Sequence, residues 1–256
     1  MLEVRGLTKY YTRTPAVEDV SFQVRPYEVL GYLGPNGSGK STTVNMLTGL
    51  LEPTRGHILH NGQDIRDHLI EYKRLLGYVP EEPHMYPYLT GLEYLELIGR
   101  LRGLPRKRLD GRIHDLLRLF SLHPHRHSPI SSYSKGMRQK VLILAALLHD
   151  PEILIFDEPL SGLDVTSALI FKNLVRALAG EGKIIVYSSH VLEVVEKVCS
   201  HVIILRQGRM VANDSVERLR DLMNLPSLED IFSQLVQAED TGKIAGEIVE
   251  VMKSAP

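Results

Sequence analysis

The sequence predicts an α/β protein with a buried parallel sheet, an antiparallel β layer near the start of the chain and an inserted helical segment. Three short apolar runs rich in β-branched or aromatic residues, at 29–33, 153–156 and 184–187, are typical of strands buried on both faces. Stretches with helical periodicity lie between these runs. A two-residue turn signal, Asn61-Gly62, indicates an early hairpin.

Composition and charge narrow the functional classes. The chain has 256 residues, 43% apolar and 24% charged, as ordinary globular proteins do. A formal net charge of −1 gives no general attraction to nucleic acid, so we expect no nucleic-acid partner. The single cysteine, Cys199, cannot form an intramolecular disulfide and fits a reducing cytoplasm. Because the most apolar segment, 141–148, is far shorter than the roughly 20 residues of a membrane span, we expect any membrane connection to run through another chain.

The first third of the chain predicts a β layer followed by a strand, a loop and a helix. Alternating apolar residues within the first 24 positions indicate strands that end before Pro26. The run 29–33 predicts the first buried strand, and the apolar spacing after the next glycine-rich loop predicts a helix over 40–51. Segments 57–60 and 63–65 flank the Asn61-Gly62 turn, and their hairpin is expected to complete the antiparallel layer.

A helical insertion is expected from residue 86 to residue 150. Thr90 and Glu93 have the spacing of a capping box, which predicts a helix start. A second helix is predicted from a single apolar stripe: Leu109, Ile113, Leu116, Leu117 and Phe120. A third helix is predicted over 135–149, and Asp150-Pro151 directly after it is expected to end it.

The remaining segments divide between the α/β core and a tail. We assign 1–85 and 151–222 to the core and 223–256 to a helical tail. The tail carries one apolar stripe: Leu228, Ile231, Phe232, Leu235 and Val236. This stripe is expected to pack on the core of its own chain, with packing on a partner subunit as the alternative.

Residues 34–41, Gly-Pro-Asn-Gly-Ser-Gly-Lys-Ser, match the phosphate-binding pattern G-x-x-x-x-G-K-[ST] and lie between a predicted strand and a predicted helix. Glycines allow successive backbone N–H groups of this phosphate loop to converge on an anion, and the helix N-terminus adds partial positive charge. Lys40 would reach the β- and γ-phosphates, and the Ser41 hydroxyl would bind magnesium. The predicted nucleotide-binding residues are Gly34, Pro35, Asn36, Gly37, Ser38, Gly39, Lys40, Ser41 and Thr42.

Two acids, Asp157 and Glu158, follow the buried strand 153–156. Asp157 could hold the magnesium shell, and Glu158 could polarise a water molecule that attacks the γ-phosphate. The pattern alone is weak, because two acids at the end of a strand can equally be solvated loop residues.

Three further motifs make the prediction specific. Ser134-Lys135-Gly136 begins a predicted helix, Ser-Gly-Leu-Asp at 161–164 follows the acid pair, and His190 follows the next strand. In this order, together with the phosphate loop, they resemble the motifs of ABC transporter ATP-binding subunits over almost the whole chain. The resemblance implies a RecA-like P-loop ATPase core with an N-terminal antiparallel β layer and an inserted helical subdomain.

The resemblance also implies roles for individual residues. Lys40, Glu158 and His190 would be catalytic in Mg²⁺-dependent ATP hydrolysis, with His190 sensing the γ-phosphate. By the same resemblance, Tyr11 stands where the aromatic residue that stacks on adenine lies, although Tyr10 is a close rival. Ser134, Lys135 and Gly136 would bind the γ-phosphate of the ATP held by a second subunit's phosphate loop, and Asp164 is a further predicted nucleotide contact.

Two departures from the family pattern affect the interpretation. Tyr133, Lys135 and Met137 replace the usual Leu, Gly and Gln of the signature motif, a variant that resembles exporters with an ABC-2 type membrane partner. Glu81 stands where the family has its Q-loop glutamine. We expect Ser41, Glu81 and Asp157 to bind magnesium. As an alternative, Glu81 would point away and serve the interface with the membrane partner.

The partners implied are a second ATPase subunit, in a homodimer or pseudo-homodimer that sandwiches two ATP, and integral-membrane permease subunits. The chain would then sit at the cytoplasmic face of the membrane. DNA-repair relatives insert long coiled coils between phosphate loop and signature, and the segment between Ser41 and Ser134 is too short for these. Ribosome-associated relatives carry two phosphate loops, whereas this chain has one. A non-hydrolysing scaffold would be expected to have lost Lys40 or Glu158.

Overall fold

The computed structural model describes residues 1–82, 84–236 and 252 of the chain. Of the predicted tail, 223–256, residues 237–251 and 253–256 lie outside the described residues. The strands in the described part are β1 (Leu2–Tyr10), β2 (Pro15–Val24), β3 (Val29–Leu33), β4 (Arg55–His60), β5 (Gln63–Asp64), β6 (Leu76–Val79), β7 (Ile153–Asp157), β8 (Ile184–Ser188), β9 (His201–Arg206) and β10 (Arg209–Ser215). The helices are α1 (Lys40–Leu47), α2 (Leu69–Leu75), α3 (Gly91–Leu101), α4 (Arg106–Leu119), α5 (Lys135–Leu147), α6 (Val165–Gly180), α7 (Leu192–Val198), α8 (Val216–Met223) and α9 (Leu228–Val236).

The predicted antiparallel layer is present as a four-stranded sheet in the order β2-β1-β4-β5. β4 and β5 form the predicted hairpin, in which Leu59 pairs with Asp64 and His60 with Gln63. Asn61 and Gly62 in the turn both have positive φ, as a tight hairpin turn requires. The hairpin prediction is confirmed.

The central sheet has six strands in the order β10-β9-β3-β8-β7-β6, and only β10 runs antiparallel to its neighbour. Its strands bury both faces. In β7, Leu154 and Phe156 belong to one core cluster, and Ile153 and Ile155 belong to the other. The first core includes residues of helices α3 to α9, and the second includes residues of α1, α2 and the antiparallel sheet. Continuous apolar runs are therefore explained by burial on both faces.

The parallel arrangement places three chain segments at the same edge of the central sheet. β3 ends immediately before the phosphate loop, β7 ends at Asp157, and β8 ends two residues before His190. β7 and β8 are in register, with Asp157 opposite Ser188. The carboxyl edge of the sheet is where open α/β folds bind ligands, so the predicted functional residues converge where a site is expected.

The helices of segment 86–150 are α3, α4 and α5. Thr90 caps α3 as predicted, because its Oγ1 accepts a hydrogen bond from Glu93 N at 3.2 Å while its backbone N donates to the Glu93 carboxylate at 2.8 Å. The predicted stripe of α4 is buried at Leu109, Ile113 and Leu117. The limits of this segment as a subdomain remain a prediction.

The predicted helix 40–51 is too long, because α1 ends at Leu47. Gly49 has a φ of 65°, a left-handed conformation that ends a helix, and the N–H groups of Leu50 and Leu51 both donate to Asn45 O at 3.0 Å. The third helix likewise ends at Leu147 rather than at 149.

Helix α9 packs on its own chain. Leu228 and Ile231 are fully buried, and Phe232 and Leu235 pack against the same core. The guanidinium of Arg206 at the end of β9 donates to Leu235 O at 3.3 Å. The prediction of internal packing is confirmed for the described part of the tail.

Within the described ranges, every helix falls short of the combined length and apolarity needed to cross a membrane.

Candidate nucleotide-binding site

The phosphate loop adopts a conformation that only glycine permits at two positions. Gly37 and Gly39 have φ values of 77° and 103°. A Cβ atom at Gly39 would lie 2.5 Å from the carbonyl oxygen of Ala16, and one at Gly34 would lie 2.7 Å from that of Leu205. The loop is therefore packed tightly at Gly34 and Gly39, whereas Gly37 faces open space and is favoured by its positive φ alone.

The N-terminus of α1 is open for an anion. Gly39 is its N-cap residue, no side chain caps the helix, and the first turn contains no acidic residue. The first N–H to donate to the helix backbone is that of Thr43, which bonds Gly39 O at 2.9 Å. The N–H groups of Lys40, Ser41 and Thr42 thus lack the intrahelical acceptors that later residues have. Together with the helix dipole, these donors form a site suited to phosphate oxygens.

Lys40 is a buried cation at this helix start. Its Nζ donates to the carbonyl oxygens of Gly34 at 2.7 Å and Pro35 at 3.2 Å. Burial lowers the pKa of the ammonium, while the nearby carboxylates of Glu158, Asp157 and Glu81 act in the opposite direction. The ammonium therefore lies among groups that favour its charged form, within reach of any anion on the loop.

Asp157 ends β7 as a buried carboxylate. Its pKa is raised to about 6, chiefly by burial and also by the negative charges of Glu81 and Glu158, while Ser188 and Lys40 act in the opposite direction. One ammonium facing three carboxyl groups leaves an excess of negative charge. A bound divalent cation would offset this excess.

Glu158 is held in a strained conformation beside His190. Its φ of 47° is uncommon outside glycine, and such strain often occurs at functional sites. One carboxylate oxygen, Oε1, lies 2.7 Å from His190 Nδ1, and the other, Oε2, accepts a hydrogen bond from Ser189 Oγ at 3.1 Å. The structure thus brings together two residues that were predicted to be catalytic from separate motifs.

A cavity of about 170 Å³, the nucleotide cavity, joins these elements. It is lined by Ala16, Asn36, Gly37, Gly39, Lys40, Ser41, Thr42, Glu81, Asp157 and Glu158. Most of the predicted phosphate-binding residues therefore share one cavity with the carboxylates. Gly34 and Ser38 pack closely against each other within the loop, since a Cβ at Gly34 would clash with the Ser38 side chain.

The cavity presents oxygen ligands of the kind that Mg²⁺ prefers, namely the Ser41 hydroxyl and the carboxylates of Asp157 and Glu81. No cluster of three His, Cys, Asp or Glu side chains suited to a metal ion occurs in the part of the chain that the structure describes. In nucleotide sites Mg²⁺ takes the rest of its ligands from phosphates and water.

Tyr11 does not line the nucleotide cavity. It is exposed at the end of β1, where the ammonium of Lys9 lies 5.7 Å from its ring centroid. Tyr10 does not line the cavity either, and Ala16 on β2 does. A role for Tyr11 in adenine stacking stays a prediction.

The residues of the signature motif lie apart from the nucleotide cavity of their own chain. Ser134 is the N-cap of α5, and its Oγ accepts a hydrogen bond from Met137 N at 3.2 Å. Ser134 and Lys135 are exposed. Gly136 packs against the backbone of Gly162, where a side chain would clash with the Gly162 carbonyl oxygen. The helix N-terminus at Ser134 is therefore presented to solvent.

Tyr133, which replaces the usual leucine, anchors this motif. Its ring is buried, and its hydroxyl donates to His125 O at 2.7 Å. The Tyr133 carbonyl oxygen accepts from the Arg138 guanidinium at 2.5 Å. The phenol also lies so close to Gly91 that any side chain there would collide with it. Tyr133 thus ties the motif to the start of α3 and to the turn around His125.

Asp164 is exposed at the N-terminus of α6. Its carboxylate accepts hydrogen bonds from Ser167 N at 2.8 Å and Ser167 Oγ at 2.6 Å, and it pairs with Lys140 Nζ at 3.2 Å. The bonds from Ser167 and the charge of Lys140 hold the pKa of Asp164 well below its usual range. Asp164 therefore links α6 to α5 just behind the signature motif.

Two residues at the site were missed by sequence reasoning. Ala16 lines the cavity, but a small residue in a strand gives no signal of this role. Ser189 contacts Glu158, and apart from its place directly before His190 the sequence gives no sign of this contact.

Comparison with known proteins agrees with this geometry. A family model described as ABC transporter matches residues 17–161, more than half of the chain. The ABC transporter ATP-binding protein NatA of Bacillus subtilis (strain 168) is 40% identical over 224 residues, which cover 87% of this chain and 91% of NatA.

Two solved structures have the same fold. The ATP-binding subunit of an ABC transporter superposes with a TM-score of 0.86 at 36% identity, covering 92% of this chain and 99% of that one. A dimeric post-hydrolysis state of the ATP-binding cassette MJ0796, bound to ADP and Pi, superposes with a TM-score of 0.78 at 25% identity, covering 84% and 98%. These matches agree with the RecA-like α/β core and antiparallel layer described above. The chain therefore belongs to the ABC transporter family, as one of its ATP-binding subunits.

Proposed function

We propose that this chain hydrolyses ATP in a Mg²⁺-dependent reaction, that two copies sandwich two ATP molecules, and that the cycle drives a separate transmembrane permease, in the direction of export. The observation that carries the proposal is the nucleotide cavity, which combines an uncapped helix N-terminus, a buried lysine and two consecutive acids at the end of β7. An open N-terminus and a lysine bind phosphate, and the acids supply the groups that hydrolysis needs.

The phosphate loop, the acids and His190 have separate tasks in this mechanism. The N–H groups of the phosphate loop and the Lys40 ammonium bind the β- and γ-phosphates and stabilise the charge that develops there. The Glu158 carboxylate accepts a hydrogen bond from the attacking water and orients it in line with the γ-phosphate. His190, 2.7 Å from that carboxylate, contacts the γ-phosphate and senses its departure. When bound, Mg²⁺ neutralises phosphate charge, and Ser41, Asp157 and Glu81 are the residues that would hold it.

The need for a second copy follows from where the signature motif lies. Ser134, Lys135 and Gly136 are outside the nucleotide cavity of their own chain, and Ser134 is exposed. A helix N-terminus with a serine cap suits a phosphate of the ATP on another subunit. MJ0796, a cassette of similar structure, is dimeric in its post-hydrolysis state. We infer that this chain dimerises in the same general way.

A surface groove is the proposed docking site for a helix of the permease. The groove, with a volume of about 490 Å³, lies between the α/β core and the end of α3 and is lined by Thr48, Leu50, Ile70, Lys73, Arg74, Leu76, Tyr78, Leu101 and Arg102. Leu50, Ile70 and Leu101 are exposed there. An apolar floor with a basic rim suits an amphipathic helix with acidic residues or a helix C-terminus. Binding there would place the chain at the cytoplasmic face of the membrane.

Export is the direction that the sequence favours. Tyr133, Lys135 and Met137 depart from the usual signature in the way that resembles ABC-2 type exporters, and the segment Leu228-Glu229-Asp230-Ile231-Phe232 resembles the same branch. Vesicles containing the assembled transporter distinguish the two directions. An exporter moves cargo away from the side on which ATP is hydrolysed, whereas an importer moves cargo towards that side.

Glu158→Gln tests the hydrolytic assignment. The amide accepts no proton from the attacking water, so the rate of ATP hydrolysis should fall by about two orders of magnitude or more while ATP binding persists. Glu82→Gln is a matched control, because its side chain is 82% exposed and does not line the nucleotide cavity. An unchanged hydrolysis rate in Glu158→Gln would contradict the assignment.

Ile70→Glu tests the groove. A carboxylate on its apolar floor should prevent a permease helix from docking, so co-purification with the membrane protein should be lost while ATP hydrolysis by the isolated chain is unchanged. Leu222→Glu, at a similarly exposed leucine on α8, is the control. Retained co-purification in Ile70→Glu would move the docking site elsewhere.

A further inference from the structure

Ser189 lies between β8 and α7 and is one of the few buried polar residues of the chain, with 3% of its surface exposed. Its hydroxyl oxygen takes part in two hydrogen bonds, one with Val191 N and one with Glu158 Oε2, each at 3.1 Å. A buried hydroxyl with two partners at the catalytic carboxylate is positioned to control that carboxylate.

The direction of both hydrogen bonds is fixed by the groups involved. The N–H of Val191 can only donate, so Ser189 Oγ is its acceptor. An ionised Glu158 carboxylate can only accept, so the Ser189 proton points to Oε2. The result is an ordered chain of hydrogen bonds from the backbone at the start of α7, through Ser189, to Glu158. Each bond in such a chain strengthens the next.

The two oxygens of Glu158 are held in different ways. Oε1 faces His190, whose side chain is 66% exposed and free of close packing on most of its surface. Oε2 faces Ser189, which is buried and tied to the backbone of Val191. The terminal torsion of a glutamate side chain has a broad energy minimum, so a carboxylate without a fixed partner rotates readily. Ser189 is the partner that limits this rotation.

We propose that Ser189 is a positioning residue for ATP hydrolysis: its hydroxyl holds Glu158 Oε2 so that the carboxylate keeps the orientation needed to align the attacking water. This inference rests on the proposed function of Glu158. A misoriented general base loses rate without losing substrate affinity, because alignment matters only as the reaction proceeds. Ser189 should therefore affect kcat for ATP hydrolysis and leave KM for ATP nearly unchanged.

Two substitutions and one double variant test the proposal, with ATP hydrolysis measured under steady-state conditions and folding checked by thermal melting. Ser189→Ala should lower kcat about tenfold, the effect of losing one hydrogen bond to a charged group. Ser189→Thr keeps the hydroxyl and should retain most of the wild-type kcat. Ser200→Ala is the control: it removes a serine hydroxyl just beyond α7 that bonds the backbone of Val29 at 3.4 Å, away from Glu158, and it should leave kcat unchanged.

The double variant separates positioning from general damage. If Ser189 acts through Glu158, adding Ser189→Ala to Glu158→Gln should slow the residual hydrolysis by less than twofold, because the carboxylate that it orients is already gone. A further tenfold loss in the double variant, an unchanged kcat in Ser189→Ala, or an equal loss in folded Ser189→Thr would each overturn the proposal. If Glu158→Gln itself hydrolyses ATP at the wild-type rate, the proposed function fails first, and the two failures are thereby distinguished.

Discussion

The phosphate loop and the signature motif are both helix N-termini, but only the first is part of a finished pocket. At the phosphate loop, Lys40 and Asp157 are buried and the start of α1 is left uncapped inside a cavity. At the signature motif, Ser134 caps α5 with its own hydroxyl and lies exposed. Burying a charge is costly unless it is paired. The phosphate loop therefore has buried charges of both signs close together, whereas the signature motif is exposed and has no buried charge to pair.

One chain therefore holds two unequal halves of a nucleotide site. The phosphate-loop half is arranged in advance by contacts within the chain and should bind nucleotide alone. The signature half offers hydrogen-bond donors without a cavity, so it should matter only when a second surface faces it. Substitutions in the two halves should consequently separate ATP affinity from hydrolysis.

The largest expected effect is that of Lys40→Ala on ATP affinity. The substitution removes the buried cation whose Nζ lies at the loop, and the loss of a charged hydrogen bond should weaken binding by about 3 kcal/mol, roughly a hundredfold. Isothermal titration calorimetry with ATP and magnesium measures it. Lys107→Ala, at an exposed lysine on α4, should bind normally. Undiminished affinity in Lys40→Ala would remove the contrast between the two halves.

Gly136→Ala should act on hydrolysis while sparing ATP affinity. A methyl group at position 136 would collide with the carbonyl oxygen of Gly162, so the start of α5 and the turn at 161–164 must separate. We expect ATPase activity to fall about tenfold, since a small displacement of a catalytic element has effects of this order or larger. ATP affinity of the monomer should not change.

Gly111→Ala is the matched control for Gly136→Ala, because nothing lies within 4 Å of a Cβ atom at position 111 on α4. It should leave both activity and affinity intact. Loss of ATP affinity by the monomer in Gly136→Ala would mean that the signature motif belongs to the nucleotide site of its own chain.

Glu81→Gln should produce a smaller change, in magnesium dependence. Glu81 lines the nucleotide cavity with Asp157, and an amide oxygen is a weaker ligand for a hard cation than a carboxylate. We expect ATP binding to persist and the magnesium concentration at half-maximal ATPase rate to rise a few-fold. Glu82→Gln should leave that midpoint in place. An unchanged midpoint in Glu81→Gln, with coupling lost only in the assembled transporter, would favour the interface role instead.

Tyr133→Phe should change only the stability of the chain. The substitution leaves His125 O without its donor, which should cost about 1–2 kcal/mol and lower the melting temperature by a few degrees. ATP affinity should be unaffected, because Tyr133 lies in the signature half. Tyr88→Phe, at a tyrosine that is 91% exposed, should not change the melting temperature.

The sequence predicts most of the fold because its strands are buried on both faces and therefore read as unbroken apolar runs, as in β3, β7 and β8. Shorter elements were missed. β6 has only four residues, two of them Gly77 and Tyr78, and seven-residue helices such as α2 and α7 are too short for a clear period.

The candidate site is predictable where a residue type has few alternative uses. A lysine after a glycine-rich turn and two acids after a buried strand point to a site from sequence alone, and the structure places all three at one cavity. Ser189 could not be singled out, because serine is common and its role depends on a hydrogen bond to a residue 31 positions away. The location of Tyr11 relative to the nucleotide cavity could not be predicted either, since it depends on the direction of the turn after β1.

Light scattering on Glu158→Gln with saturating ATP and magnesium tests the claim that the signature half of one chain completes the nucleotide site of another. Because hydrolysis is blocked in this variant, it should run as a dimer. Adding Ser134→Arg, which places a bulky side chain at the exposed N-terminus of α5, should return it to a monomer that still binds ATP with unchanged affinity. A Glu158→Gln chain that stays monomeric, or a double variant that still dimerises, would contradict the claim.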